Sequence, residues 1–377
     1  MKITRVEVLR FSRQLDGRAW NPAFRWNERQ APLLVIECDY TFQGIGEAWA
    51  GYGSVQETLE ILSKEVAPRL LGFEFFATAD IGGLTHDATE HCESKARCAA
   101  WSAADVALWD AFSRAIGQPL WKMLQGESSQ AKVYASGGLY RDDYSLEELA
   151  AETAGYRARG FDSMKMKVAG LSPSQDLERV VTVREALGAN GDLWIDGVNQ
   201  WRVPDAIAFW KLVANSRVQA VQSPIPADDV SGLAALNADI FPVIASEAEH
   251  RQPVLQGLLD AGAVTYLQFC LPLCGGFTGA KRLDEMAARY GVKTTPQCFS
   301  TVIAQAATLH YAAASSNVVT AEYHCFHDHL AHLFIGDAGK VRQGHACAGN
   351  APGLSVSIPA LGTQADGSVI TRIAEIR

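Results

Sequence analysis

Two lysines separated by one residue, Lys165 and Lys167, close the short apolar run SMKMKV. Side chains alternate along a β-strand, so both ammonium groups fall on one face. Like charges side by side disfavour one another and lower the pKa of one of them, which is how a lysine comes to act as a base near neutral pH. Three oxygen-bearing side chains follow at a regular interval. Asp196, Gln222 and Glu247 each close a later apolar run, 26 and 25 residues apart. Two carboxylates and one amide oxygen are hard donors of the kind Mg²⁺ takes, although they hold it less tightly than three carboxylates would. A single acidic residue at a strand end is more often a helix cap than a ligand; the even spacing of three is what points to a site. Near the end of the chain His324, His327, His329 and His332 cluster, either as titratable groups for chemistry or as a polar loop packing two parts of the fold together.

These groups converge only if the runs that carry them are parallel strands of one barrel. From about Val133 the chain alternates short apolar runs (VYAS, SMKMKV, LWID, AVQSP, PVIAS, YLQFC, VKTTP and VVTAEY) with helical segments. Eight strands with intervening helices make a TIM-type barrel, whose reacting groups project from the C-terminal strand ends. Ser172, Pro173 and Gln175 mark one helix start by an N-cap, a proline at the first position and a capping-box partner. The preceding residues read differently: an alternating strand at Lys2 to Leu9, an apolar run at Leu33 to Cys38, a turn at Gly44-Ile45-Gly46-Glu47, and then helices. From Ser94 to Ile116 small and apolar residues recur at helical spacing, as in a buried helix allowing close packing. The fold class is α/β with an N-terminal α+β domain. The expected boundaries are 1–127 for that domain, 128–345 for the barrel, and 346–377 for a Gly/Pro-rich segment ending in the strand-like pieces SVSIP and SVITRIAEI, which return to the first domain.

With 377 residues, 48% of them hydrophobic, the chain can bury a full core and exceeds one ordinary domain. A net charge of -9 argues against nucleic acid, whose phosphates call for a basic surface. No uncharged apolar stretch approaches the roughly 20 residues that span a bilayer, and MKITRVEVLRFS lacks the apolar core of a signal peptide. The eight cysteines show no CxxC spacing and no disulfide framework. A cytoplasmic location with reduced thiols is therefore expected.

The segment AADVALWDAFSRAIGQPLWKMLQG (Ala103 to Gly126), the Lys-x-Lys strand, Asp196, Ser246-Glu247, Gly275-Gly276 and Pro352-Gly353-Leu354 are similar, in order and spacing over essentially the whole chain, to the mandelate racemase and muconate lactonising group of the enolase superfamily. The resemblance implies a (β/α)7β barrel with a capping domain that the C-terminal segment completes, and a symmetric homo-oligomer. It implies a base that removes the proton α to a small-molecule carboxylate while a metal stabilises the enediolate. On that analogy Lys167 is the base, Lys165 its electrostatic neighbour, Asp196 and Glu247 ligands of Mg²⁺ with Gln222 between them, and Glu322, closing the eighth strand, faces substrate.

The chain also departs from this pattern. Gln222 stands where the family usually carries a glutamate, and Val198 where an asparagine is common, with Asn199 displaced by one. The family's second base is a lysine closing the sixth strand or a histidine closing the seventh; here those positions are Cys270 and Gln297. An unfamiliar partner is then needed for two-base chemistry, either a Cys270 thiolate or a histidine such as His324. Substrate choice falls to loops of the capping domain, Asn21 to Asn27 with Arg25 and Trp26, and Trp49 to Ser54 with Tyr52, where an arginine can hold a distal carboxylate and aromatics can stack on a ring. The expected reaction is dehydration of a sugar acid or related hydroxy-acid. Racemisation, epimerisation or cycloisomerisation is the alternative, and a binding or vestigial protein that has lost efficient metal catalysis is the third.

Overall fold

The computed structural model describes residues 1–51, 55–89 and 92–377. The first domain is built on an antiparallel sheet whose central strands, Ile3–Gln14 and Glu28–Cys38, pair from Gln14 opposite Glu28 to Ile3 opposite Cys38. Val369–Ile376 adds to the outer side of Ile3–Gln14, so the last residues of the chain complete the sheet that the first ones begin. Among the described residues the SVSIP piece, expected to be strand-like, contributes a single bridge from Val356 to Phe334; Gly353 and Ser355, at φ 77° and 54°, break the extended run.

Gly44-Ile45-Gly46-Glu47 is not a turn but part of the edge strand Phe42–Glu47. The glycines are there for close approach. The helix Lys95–Ala115, capped by the Ser94 hydroxyl accepting from the Arg97 amide, lies directly on this strand. A Cβ on Gly44 would stand 2.0 Å from the Ala107 carbonyl oxygen, and one on Gly46 2.0 Å from that of Ala103. Gly, Gly and a row of buried alanines therefore let two backbones nearly touch.

Eight parallel strands form the barrel: Gln130–Gly137, Ser163–Lys167, Asp192–Asp196, Val218–Gln222, Val243–Ala245, Tyr266–Leu267, Lys293–Thr294 and Ala321–His324. The eighth pairs with the first in parallel, and a bridge from Thr294 to Val318 joins seventh to eighth and closes the ring. Among the described residues, an α-helix fills each of the seven intervals, and the eighth strand is followed instead by a 3₁₀ turn at Ala331–Leu333 and the short strands Val341–Arg342 and His345–Cys347. This is the (β/α)7β arrangement. The helix after the second strand, Pro173–Leu187, starts with the capping box Ser172/Gln175. No described helix is long and apolar enough to cross a membrane.

Inside the barrel Tyr134, Trp194, Ala220 and Ile244 form a buried layer with Tyr266 packed against it, the Tyr134 and Trp194 rings 4.8 Å apart. Burying each large side chain contributes roughly 1.5–3 kcal/mol, and the layer gives the site a dry floor. The capping domain is fastened to the rim by Glu47. Its carboxylate accepts from the Thr301 hydroxyl at 2.5 Å and from the Thr301 and Ala304 amides, which cap the helix Val302–Ala314. Burial pushes the Glu47 carboxyl above its ordinary range, against these hydrogen bonds.

Candidate active site

Strand register brings Lys167, Asp196 and Gln222 abreast: Lys167 lies opposite Asp196, and Asp196 opposite Gln222. Met164 and Met166, the alternate residues of the second strand, pack outward into the main core, leaving Lys165 and Lys167 inside the barrel. The two ammonium groups do not confront each other bare. Asp196 lies between them, its Oδ2 accepting from Lys167 and standing 3.2 Å from Lys165 Nζ, while its Oδ1 accepts from the Val198 amide at 3.0 Å. Burial alone would raise the Asp196 carboxyl, but Lys167 and Lys165 hold it below the usual carboxylate range.

Lys165 is fully buried and makes two further contacts, to Glu322 Oε1 at 2.8 Å and Gln222 Oε1 at 3.0 Å, with its ammonium 5.8 Å from the centre of the Tyr134 ring. Burial opposes its charge, yet Glu322, Tyr134 and Asp196 outweigh burial and push its pKa well above the ordinary lysine value. The expectation that neighbouring lysines depress one pKa therefore fails for Lys165, because the carboxylates between and beneath them dominate. Lys165 is a fixed cation.

A cavity of about 40 Å³ lies above this pair, lined by Lys167, Gln222, Glu247, Gln297, Glu322 and His324. Lys167 is thus the lysine that reaches it. Trp26 and Trp49 from the capping domain and Phe299 from the barrel cover it, each less than a tenth exposed. Asp196 and Lys165 lie beneath. Glu247 Oε2 accepts from the Ser223 hydroxyl at 2.7 Å, which fixes one of its two oxygens. Gln297 has a buried amide oxygen with no partner among the described residues.

Other expected residues lie elsewhere. Cys270 pairs by a bridge with Gln297 but sits behind the cavity lining, and burial pushes its thiol far up, so a thiolate base has no support here. Arg25 is exposed and makes a bidentate pair with Asp142 outside the cavity. Asn199 faces solvent, and the buried Val198 side chain takes the inner place. Tyr52 falls outside the described residues. Of the histidines, His332 is exposed, whereas His324, His327 and His329 form a buried row with ring centres 4.5 and 5.7 Å apart. That row packs on Trp26 and Phe11 of the capping domain, and His324 also reaches the cavity. Ser223, Leu139 and Phe299 were not legible as site residues. Phe299 follows Gln297 by two, the one signal that strand-end spacing offered.

The donor set is oxygen-bearing, as a hard divalent cation requires: Gln222 and Glu247 line one cavity, and Asp196 is abreast of Gln222, but Lys165 occupies Gln222 Oε1 and the two lysines and the Val198 amide occupy Asp196. Among the described residues no group of three His, Cys, Asp or Glu is arranged to hold a metal, consistent with an amide in the middle position.

Two family matches cover most of the chain: the enolase C-terminal domain-like family over residues 148–360, and the N-terminal domain of mandelate racemase and muconate lactonizing enzyme over residues 23–125. The chain belongs to the enolase superfamily. Within this superfamily it is 29% identical to a D-galactarolactone cycloisomerase of Agrobacterium fabrum over 83% of each chain. It is 25% identical to an arabinonate dehydratase of Saccharolobus solfataricus over 86% of this chain and 87% of that one. The solved structure of a racemase from Streptomyces coelicolor A3(2), with bound magnesium, superposes with a TM-score of 0.83 over 94% of this chain and 97% of that one at 22% identity. Members of the enolase superfamily typically bind Mg²⁺, and these relatives are enzymes of more than one reaction class.

Proposed function

We propose that the chain removes the proton α to the carboxylate of a small hydroxy-acid, a sugar acid or near relative, with Lys167 as base, and then expels a β-hydroxyl as water. The observation that carries this reading is the division of labour between the lysines: Lys167 reaches the cavity, while Lys165 is locked beneath it by Glu322, Gln222 and Asp196. The Lys167 amine takes the α-proton, and the C–H electron pair passes into an enediolate. The new ammonium is met by Asp196. As the enediolate collapses, the C–O bond to the β-hydroxyl breaks, the proton on Lys167 goes to the departing oxygen, and the enol product tautomerises to a 2-keto acid. Asp196, Glu247 and the Gln222 amide oxygen would hold a divalent cation, once Lys165 gave up Gln222 Oε1, and a bound cation would supply positive charge to the substrate carboxylate.

This route needs one base. That suits a mouth in which Gln297 has no basic nitrogen and Cys270 is buried as a thiol. Cycloisomerisation shares the first step and the single base, and the Agrobacterium fabrum relative carries that name. Eight free cysteines accord with a reduced, cytoplasmic enzyme.

The test is incubation with a panel of hydroxy- and amino-acids in D₂O, with and without Mg²⁺, reading deuterium uptake at the α-carbon of recovered substrate and at the β-carbon of the keto-acid product, together with loss of water. Exchange with water loss that disappears in Lys167→Ala and persists in Cys270→Ala is expected. Exchange without water loss moves the reading to an isomerase. Absence of any Lys167-dependent exchange overturns it in favour of a binding role.

A further inference from the structure

His324 closes the eighth strand and lines the same cavity as Lys167, with its backbone amide held by the Gln305 side-chain oxygen at 3.0 Å. Its ring is clamped between Phe299, 5.9 Å away, and His327, 4.5 Å away. The His327 backbone amide donates to His324 Nδ1 at 3.3 Å. A nitrogen that accepts cannot also carry a proton, so the neutral ring holds its hydrogen on Nε2, the atom farther from the backbone. Burial, Lys165, Lys167 and Arg29 all oppose a positive ring at this place. His324 is therefore a neutral donor with one hydrogen, on Nε2, in a side chain that lines the cavity.

We infer that the His324 Nε2–H is a catalytic hydrogen-bond donor to the substrate carboxylate oxygen that becomes negative as Lys167 removes the α-proton. This rests on the reading of Lys167 as base and assigns a role to a second side chain that lines the same cavity. A neutral donor is the fitting choice on electrostatic grounds. Gln222 leaves the metal set one negative charge short of the family's usual set, and a third cation beside Lys165 and Lys167 would be repelled. An N–H dipole strengthens its hydrogen bond to a developing oxyanion without adding charge. It also cannot deliver its proton, because the imidazolate left behind would be far too basic, so His324 polarises and is not a second acid.

Three measurements separate this from a packing role. In ¹⁵N NMR of the histidine rings, assigned by difference with His324→Gln, the free protein should show His324 as the neutral Nε2–H tautomer, and that proton should move downfield when oxalate, a planar dianion, is added. His324→Leu should slow Lys167-dependent α-proton exchange on the order of 10²–10³-fold. His324→Gln, which keeps an N–H donor, should recover at least a tenth of the wild-type rate with KM little changed. An Nδ1–H tautomer, an imidazolium, or wild-type exchange in His324→Leu overturns the assignment. If the wild-type protein exchanges nothing, the reading of Lys167 fails instead, and the tautomer and its response to oxalate still decide whether His324 is a donor at this site.

Discussion

Lys165 Nζ lies 2.8 Å from Glu322 Oε1, and neither side chain is more than 2% exposed. The pair joins the second strand of the barrel to the eighth, across the first. Breaking such a pair from one side leaves a buried charge without its partner, at a cost of about 3–5 kcal/mol.

Lys165→Met should therefore lower stability by about that amount in urea unfolding at pH 7, and adding Glu322→Gln should recover a substantial part, because the stranded carboxylate is gone. Since the folded-state pKa of Lys165 is raised, its contribution is complete below the unfolded lysine value of about 10.4 and is lost only as pH rises beyond it. Equal losses in the single and double variants would show that Glu322 does not depend on Lys165.

Gln222→Glu tests the metal set. Restoring a third carboxylate beside Glu247 and Asp196 should tighten Mg²⁺ binding on the order of tenfold or more, since charge count governs affinity at oxygen sites. Titration calorimetry of both proteins reads this directly. The Lys165 contact at 3.0 Å will compete for the new carboxylate and keeps the gain below that of an unpaired one. Unchanged affinity would place any bound Mg²⁺ away from residue 222.

Much of this site is legible in the chain because it depends on short-range rules. Strand alternation puts Lys165 and Lys167 on one face, and the 26- and 25-residue intervals place Asp196, Gln222 and Glu247 at successive strand ends. What is not legible is pairing. That Asp196 sits between both lysines, and that Glu322 meets Lys165, follows from barrel register and from closure between the eighth strand and the first. Its place in a capping-domain loop leaves Arg25 either a carboxylate holder or a surface charge, and Asp142, 117 residues later, takes it outside the cavity.

Acid should weaken the fold through His310. Its ring is fully buried in the helix Val302–Ala314, its Nδ1 accepts from the Trp121 amide at 3.1 Å, and burial pushes its pKa down to about 4. The unfolded chain binds a proton near pH 6.5 that the folded chain refuses, so the stability from this residue is full above pH 6.5 and is lost as pH falls toward 4. The difference amounts to about 3 kcal/mol. Guanidinium unfolding from pH 7 to 4.5 should show wild-type stability falling faster than that of His310→Gln; parallel curves would mean that the imidazole accepts its proton without unfolding.

Two glycines should respond to alanine in opposite directions. Gly46 lies on the edge strand Phe42–Glu47, where an added methyl meets the Ala103 carbonyl oxygen and carbon and the Ala107 amide, all backbone atoms at 3.0 Å or closer. None is the end of a flexible side chain, so strand and helix must separate, and Gly46→Ala should cost about 3 kcal/mol. Gly83 lies in the helix Thr78–Thr89, faces solvent, and has nothing within 4 Å of its missing Cβ. There alanine only restricts the unfolded chain and favours the helix, and Gly83→Ala should stabilise by about 0.5–1 kcal/mol. Thermal melts of the two variants decide the matter. If Gly46→Ala matched wild type, the close approach of helix and strand would not be what requires glycine at that position.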